Sequence, residues 1–330
     1  MERLGIALGA GLSPTDTVEC ARTAEEIGYE SAWIIEGHGG DQFSIATACA
    51  LATRRIRLGT AISSVFVRTA PTIAMAASCL DHFSQGRFIL GLGSSHKVQV
   101  EPEHGVHYGD PVTRVRETVE IVRALLRDGT VSFHGKTITI ERFDLWFKPL
   151  HKSVPIYLSA LFPKMLELCG EVAQGLLMVF STGQSARNAI KHLGAGSARV
   201  GRNVNEIEIA SLLPTSIDRD RKTAYDRVRP VLSFYIGFFP RYHRLVSESG
   251  FGNAADTAAE AFARGDQQRA LAAISDEMVA SLTVSGTAAD ARTRIAEYRC
   301  SGIALPILMP VANAETKLAE VVETLRACAS

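Results

Sequence analysis

Glu36 and His38 are the acid and base best placed for chemistry in this chain. They stand two residues apart in Ile35-Glu36-Gly37-His38-Gly39-Gly40-Asp41. The run before them, Ser31–Ile35, reads as a short buried strand, so both fall in the loop at its carboxyl end. A carboxylate and an imidazole in such a loop can exchange protons with a substrate or contact a bound ring. A lone loop histidine is as often merely solvated, so His38 carries both readings. Four further loops are rich in small hydroxyl residues: Ser63-Ser64, Gly93-Ser94-Ser95-His96, Ser159-Ala160-Leu161 and Ser181-Thr182-Gly183. The last two precede helices, whose first N–H groups can hold a phosphate. Ordinary N-capping by Ser and Thr is the competing reading for both. His96, His104 and His107, with Glu101 and Glu103, include metal-ligand types, but they share one polar loop without ligand spacing. No metal site is expected. Tyr242, His243 and His96 are candidates for the substrate side.

These loops need elements that bring them to one end of the fold. Leu4–Leu8, Ser31–Ile35, Ile56–Ile62, Phe88–Leu92, Ile156–Ser159, Leu176–Phe180, Ile207–Leu213 and Ala304–Met309 are apolar runs of strand length. Helix-type runs separate them: Ser13-Pro14 to Ile27, Phe43–Thr53, Pro71–Phe83, Pro111–Arg127, Pro163–Ala173, the run after Gly183 to about Arg199, and the run from Gly286 to Cys300. Ala314–Ala327 closes the series. Eight strands, each followed by helix, predict a (β/α)8 TIM barrel with a helical insertion after strand 7. A doubly wound open sheet is the competitor. Val131–His134 and Thr137–Glu141 predict a surface hairpin around Gly135-Lys136. Residues 93–110 read as a long loop. Residues 218–282 read as a helical insertion holding Phe234-Tyr235-Ile236-Gly237-Phe238-Phe239-Pro240-Arg241-Tyr242, which packs helices together or forms a lid over a pocket. One domain, 1–330, is expected.

Catalysis then belongs at the carboxyl ends of the strands. Those ends are mostly small residues, which suits a large flat ligand lying close to backbone. The sequence has no paired-carboxylate arrangement, no GxSxG elbow and no HExxH; Gly91-Leu92-Gly93 lacks the third glycine of a dinucleotide fingerprint. Thirty-five basic and 35 acidic residues balance, with 46% hydrophobic content. This argues against nucleic acid and anionic membrane as partners. Met1-Glu2-Arg3-Leu4 leads straight into a strand, and no apolar run would cross a bilayer. The six scattered cysteines form no CxxC pair and are expected to be buried and reduced, in a cytoplasmic protein.

The run Trp33-Ile34-Ile35-Glu36-Gly37-His38-Gly39, then Leu58-Gly59-Thr60-Ala61-Ile62, then Leu80-Asp81-His82-Phe83-Ser84-Gln85-Gly86-Arg87-Phe88-Ile89-Leu90-Gly91-Leu92-Gly93, resembles the bacterial-luciferase-like monooxygenase superfamily. Pro155-Ile156-Tyr157-Leu158-Ser159-Ala160, Pro163-Lys164-Met165-Leu166-Glu167-Leu168-Cys169-Gly170-Glu171 and Gly175-Leu176-Leu177 are similar to the branch that uses the deazaflavin coenzyme F420, which includes methylenetetrahydromethanopterin reductase and F420-dependent alcohol dehydrogenases. The resemblance implies a flavin or deazaflavin on the barrel rim, hydride transfer with a small organic substrate, and often a homodimer. It implies a non-proline cis peptide ending strand 3, by position Ala61–Ile62, with Ser63 beside it, backing the ring. It puts the coenzyme's phosphate near Ser159, Ala160 and Leu161, and Ser94 and His96 beside the ring; Ser181 and Thr182 stay a helix-start candidate on their position alone. Glu36 matches an acidic position ending strand 2. Many members carry histidine directly after that acid; here Gly37 stands there and histidine comes one later, at His38. Ser94 replaces an arginine frequent in flavin-dependent members, which favours F420 over FMN. An FMN-dependent monooxygenase and a non-catalytic flavin-binding protein are the alternatives.

Overall fold

The computed structural model describes residues 2–9, 11–312 and 317–329. Eight parallel strands form a closed barrel surrounded by helices, a TIM barrel. In chain order they are strand 1 (Gly5–Leu8), strand 2 (Ser31–Ile34), strand 3 (Arg57–Thr60), strand 4 (Phe88–Gly93), strand 5 (Ile156–Ser159), strand 6 (Gly175–Val179), strand 7 (Glu208–Ile217) and strand 8 (Leu305–Pro310). Strands 1, 2 and 4 are buried throughout, the continuous apolar run expected where helices cover a parallel sheet. Local signals set the intervening helices. Ser13 accepts the Asp16 N–H at 3.1 Å to open Pro14–Ile27, and Gly28 closes it in the left-handed region at φ 103°. Asp41 opens Gln42–Ala52 and Thr69 opens Ala70–Ser84 in the same way.

The chain divides into two compact units. One comprises Ala7–Leu177 and Ala189–Ile209. In it strands 2 to 6 run in register through Ile34↔Thr60, Leu58↔Phe88, Leu92↔Leu158 and Ser159↔Leu177. Trp33 is fully buried and packs on Tyr157, ring centroids 5.6 Å apart. Gly59 permits this, because a Cβ there would lie 2.2 Å from the indole. Arg87 donates to Ala50 O and Ile56 O, which ties the helix before strand 3 to the start of strand 4. The other unit comprises Met1–Ile6, Met178–Asn188 and Ala210–Ser330. Strand 8 pairs there with strand 7 from Ala210↔Leu305 to Thr215↔Pro310 and with strand 1 at Gly5↔Ile307. The insertion is helical as expected, from Arg221–Phe238 to Asp276–Leu282.

Several local expectations need correction. The 93–110 loop contains a helix, Lys97–His104, which Pro102 and Gly105 masked in the sequence. Strand 3 is shorter than Ile56–Ile62, and Ser63-Ser64, read as loop, pairs with Leu92 and Gly93 of strand 4. Val284–Gly286 adds a short strand beside strand 7. The hairpin runs Thr130–His134 against Thr139–Asp144. Residues 313–316 lie outside the described residues, as does Ala10; the closing helix, expected from Ala314, is described over Lys317–Ala329. Cys20, Cys49, Cys169 and Cys328 are buried, and burial pushes their thiols up to about 12. Cys79 and Cys300 are exposed instead.

Candidate active site

The carboxyl ends of strands 2 to 5 all belong to the first unit and form one set of loops. Beyond strand 2 the chain makes one more ladder bond, Ile35 N–H to Leu8 O at 2.9 Å, and then turns out at Glu36. Glu36 is half-buried and does not point freely outward. Its Oε2 accepts the Ser64 N–H at 2.8 Å, and its Oε1 pairs with Arg68. Arg68 reaches on to Asp41 at 2.7 Å and lies over the Phe43 ring, 5.3 Å from its centroid. Burial pulls the Arg68 guanidinium below its ordinary value. His38 is exposed and bonds Glu103 Oε2 at 3.0 Å, across to the helix Lys97–His104. At Gly37 and Gly39 a Cβ would meet nothing within 4 Å, so the strand 2 loop faces open space.

Strand 3 leaves its ladder at Ala61, and the Ala61–Ile62 peptide is cis, as the resemblance implied. Hydrogen bonds bracket this turn: Ala61 N–H to Ile34 O at 2.8 Å before it, Ser64 N–H to Glu36 and Val65 N–H to Gly93 O at 3.0 Å after it. The Ser63 hydroxyl is buried and finds no hydrogen-bond partner among the described residues. Ile62 rests on Gly93, where a Cβ would come 2.8 Å from its Cδ1 and Cγ1 and 3.3 Å from Ser159 Cβ. Ile62, Gly93 and Ser159, from the ends of strands 3, 4 and 5, therefore touch. Ser94 is nearly buried, and His96 is half-buried at the start of the helix Lys97–His104. Ala160 is buried and Leu161 half-buried, just before the helix Pro163–Val172. No side chain caps that helix start.

Ser181 and Thr182 belong to the other unit, and both hydroxyls have local work. Ser181 is fully buried and its hydroxyl meets Ser211 Oγ at 2.7 Å. Thr182 and Ser185 cap one another, Ser185 N–H to Thr182 Oγ1 at 3.1 Å and Thr182 N–H to Ser185 Oγ at 2.8 Å. Thr182 therefore acts as an ordinary N-cap for Gly183–Arg199. The histidine-rich segment disperses its carboxylates: Glu103 to His38, and Glu101 to Lys97 and His107, each at 3.6 Å. Among the described residues no three His, Cys, Asp or Glu side chains gather as metal ligands would. The aromatic stretch packs around Phe180, at the end of strand 6, with ring centroids 5.1 Å from Tyr235 and 5.4 Å from Tyr242. Burial pushes both tyrosine hydroxyls up.

Sequence reasoning missed Arg68 and Phe180, and weighed Glu103 only as a metal-ligand type and not as the partner of His38. Nothing local marks a partner 27 or more residues away, and the left-handed φ of 49° at Phe180 shows only in the structure. A cavity of about 630 Å³ lies elsewhere in the first unit, before strands 5 and 6, lined by Arg123, Val154, Glu171, Gln174, Arg202 and Glu206. Its arginines donate to Gly170 O, Val172 O and Ala173 O, so they serve the carboxyl end of the helix Pro163–Val172.

The luciferase-like monooxygenase family matches residues 1–305. The chain belongs to that family. Among its relatives is the 5,10-methylenetetrahydromethanopterin reductase of Archaeoglobus fulgidus, 31% identical over 287 residues, 86% of this chain and 85% of the relative. A putative coenzyme F420-dependent oxidoreductase of Mycobacterium tuberculosis is 29% identical over 327 residues, 93% and 94% of the two chains. The solved coenzyme F420-dependent tetrahydromethanopterin reductase of Methanopyrus kandleri superposes with a TM-score of 0.84 at 25% identity, covering 98% of both chains. The strand ends fit a flat coenzyme such as the F420 for which two of these relatives are named. Gly37 and Gly39 leave open space, Gly93 lets Ile62 lie flat across strand 4, and an uncapped helix start follows Ser159-Ala160-Leu161.

Proposed function

We propose that this protein is an F420-dependent oxidoreductase acting on a small organic substrate. The observation that carries the reading is likeness along nearly the whole chain to proteins named as F420-dependent. F420, when bound, supplies a hydride donor or acceptor at C5 of its ring. The protein's residues then bind, orient and shield. Ala61, Ile62 and Ser63 would back the ring, and Ser94 and His96 would line it. The backbone of Ser159, Ala160 and Leu161 and the first turn of Pro163–Val172 receive the phosphate. Ser181 and Thr182 lie in the other unit, where their hydroxyls are already engaged. His38, held by Glu103, donates or accepts the proton that accompanies hydride transfer. Glu36 shares the strand 2 loop with it.

Titrating the purified protein anaerobically with oxidised and with reduced F420, and with FMN in parallel, tests this. Saturable F420 binding at micromolar concentration with weaker FMN binding is expected. FMN binding with oxygen uptake and no F420 binding moves the protein to the alternative, an FMN-dependent monooxygenase.

Two coarser expectations extend this reading. A homodimer is supported by large apolar side chains left exposed on the first unit: Leu51 and Phe83 on neighbouring helices, and Trp146 at 98% exposure with Phe147 and Leu150 after the hairpin. No described helix is long and apolar enough to cross a membrane. A cytoplasmic setting suits six cysteines that are all unpaired thiols.

A further inference from the structure

We propose that Glu36 is a positioning residue, a brace for the turn 61–64, and not the acid or base its place after strand 2 suggested. Both carboxylate oxygens are committed, Oε2 to the Ser64 N–H at 2.8 Å and Oε1 to Arg68. Glu36 and Arg68 are 20% and 18% exposed, so the pair is largely withdrawn from water and screened less than a surface pair. Removing Arg68 would leave the Glu36 charge without its counter-charge, whereas Arg68 would keep Asp41 if Glu36 were removed. Arg68 extends the brace to Asp41, which caps the helix Gln42–Ala52 through the Ser44 N–H at 2.8 Å. On its far side the same segment is gripped by Arg114, whose Nε donates to Val65 O at 2.9 Å and whose guanidinium lies over the Phe66 ring. Phe66 in turn stacks on Tyr108, centroids 4.4 Å apart.

The chain from Ala61 to Phe66 is thus tied at its start to strand 2 by Ala61 N–H to Ile34 O, at its end by Arg114, and in the middle by a single carboxylate. Ser64 has no other acceptor for its N–H among these bonds, because the ladder to strand 4 is carried by Val65 N–H to Gly93 O. Glu36 therefore sets how far the turn stands from strand 2, and with it where Ile62 lies on Gly93. The consequence for the coenzyme rests on the F420 reading; the brace itself does not.

The test uses Glu36→Ala, Glu36→Gln and Arg68→Met in the full chain. Amide hydrogen exchange without any ligand is read over peptides covering 61–66 and, as a control, over strand 4. Glu36→Ala should speed exchange at Ser64 and its neighbours by about tenfold or more while strand 4 keeps its protection. F420 titration should show affinity weakened by about tenfold, ~1.4 kcal/mol, in Glu36→Ala and Arg68→Met alike. The double variant should bind no worse than either single one, since both remove the same brace. Unchanged exchange over 61–66 in Glu36→Ala overturns the brace. Faster exchange with unchanged F420 affinity overturns its link to the coenzyme. Full protection and full affinity in Glu36→Gln, which keeps an acceptor but no charge for Arg68, would show that the ion pair is idle and overturn the Arg68 part. Failure of every variant and of the native protein to bind F420 counts against the function alone, and exchange still decides the brace.

Discussion

At the scale of single residues, the site depends on side chains that are small as much as on those that react. Gly93 is the clearest case. A Cβ there would sit 2.8 Å from two carbons of Ile62, inside the closest approach real side chains make. Gly93 has no left-handed backbone requirement, so Gly93→Ala should fold with only the modest cost of overpacking, about 1–3 kcal/mol. It should push Ile62 off strand 4 and weaken F420 binding by about tenfold, ~1.4 kcal/mol. Adding Ile62→Ala, which removes both offending carbons, Cγ1 and Cδ1, should restore part of the loss. F420 titration of the native protein and the two variants reads this; equal affinity in all three would show that Ile62 does not face the coenzyme. His38 and Glu36 show the opposite lesson. Both are titratable types at the expected strand end, yet one is exposed and paired with Glu103 while the other is spent on Ser64 and Arg68. Residue type and position found the pair, and only the long-range partners separated their roles.

At the scale of elements, helix starts carry much of the local order, and one has a measurable acid signature. Asp290 closes a capping box with Thr287 at the start of Ala288–Cys300 and takes a bidentate grip from Arg221, at 2.7 and 3.1 Å. Arg221, and after it the Thr287 N–H, hold its carboxyl down to about 2. The folded value lies below the ordinary one of about 4, so the stabilisation is present above pH about 4 and is lost as pH falls towards 2. The melting-temperature gap between the native protein and Asp290→Asn should be widest at neutral pH and shrink between about pH 4 and 2. A gap that stays constant across that range would show that the charge contributes nothing. The helix Lys97–His104 marks the limit of local signals. Its start has no side-chain cap, Pro102 stands inside it and Gly105 ends it, so it reads as loop until its contact through Glu103 with His38 is seen.

At the scale of the whole molecule, the number of strands and their parallel order follow from repeated apolar runs alternating with helices, and the barrel they predict is the one observed. Assembly belongs to this scale too. Trp146 is almost wholly exposed, and Phe147, in the same segment, meets His82 with ring centroids 6.0 Å apart, next to the exposed Phe83. If this face joins two copies, light scattering at micromolar concentration should give twice the monomer mass. Trp146→Ser with Phe83→Ser should return it to the monomer mass with little change in melting temperature. A native protein that scatters as a monomer overturns the dimer. The helical insertion after strand 7 was legible as helix from its composition. Its aromatic run proved to be a mutually packed cluster on Phe180, a partner more than fifty residues earlier in the chain.

By itself the sequence determined what short-range physics can encode. Apolar runs bounded by glycine, serine and proline mark strands, caps mark helix starts, and small residues mark the strand ends where a flat ligand can lie. Those features placed Glu36, His38, Ala61, Ile62, Ser94 and Ser159 at or just past the carboxyl ends of the strands, at one end of the barrel. The tertiary structure alone decided which of them touch and which are already spent. Glu36 meets Ser64 and Arg68, His38 meets Glu103, and Ser181 meets Ser211 because the barrel brings together segments that lie 28 to 65 residues apart. A hydrogen bond is specific to about an ångström, and such precision is set by packing and not by spacing along the chain.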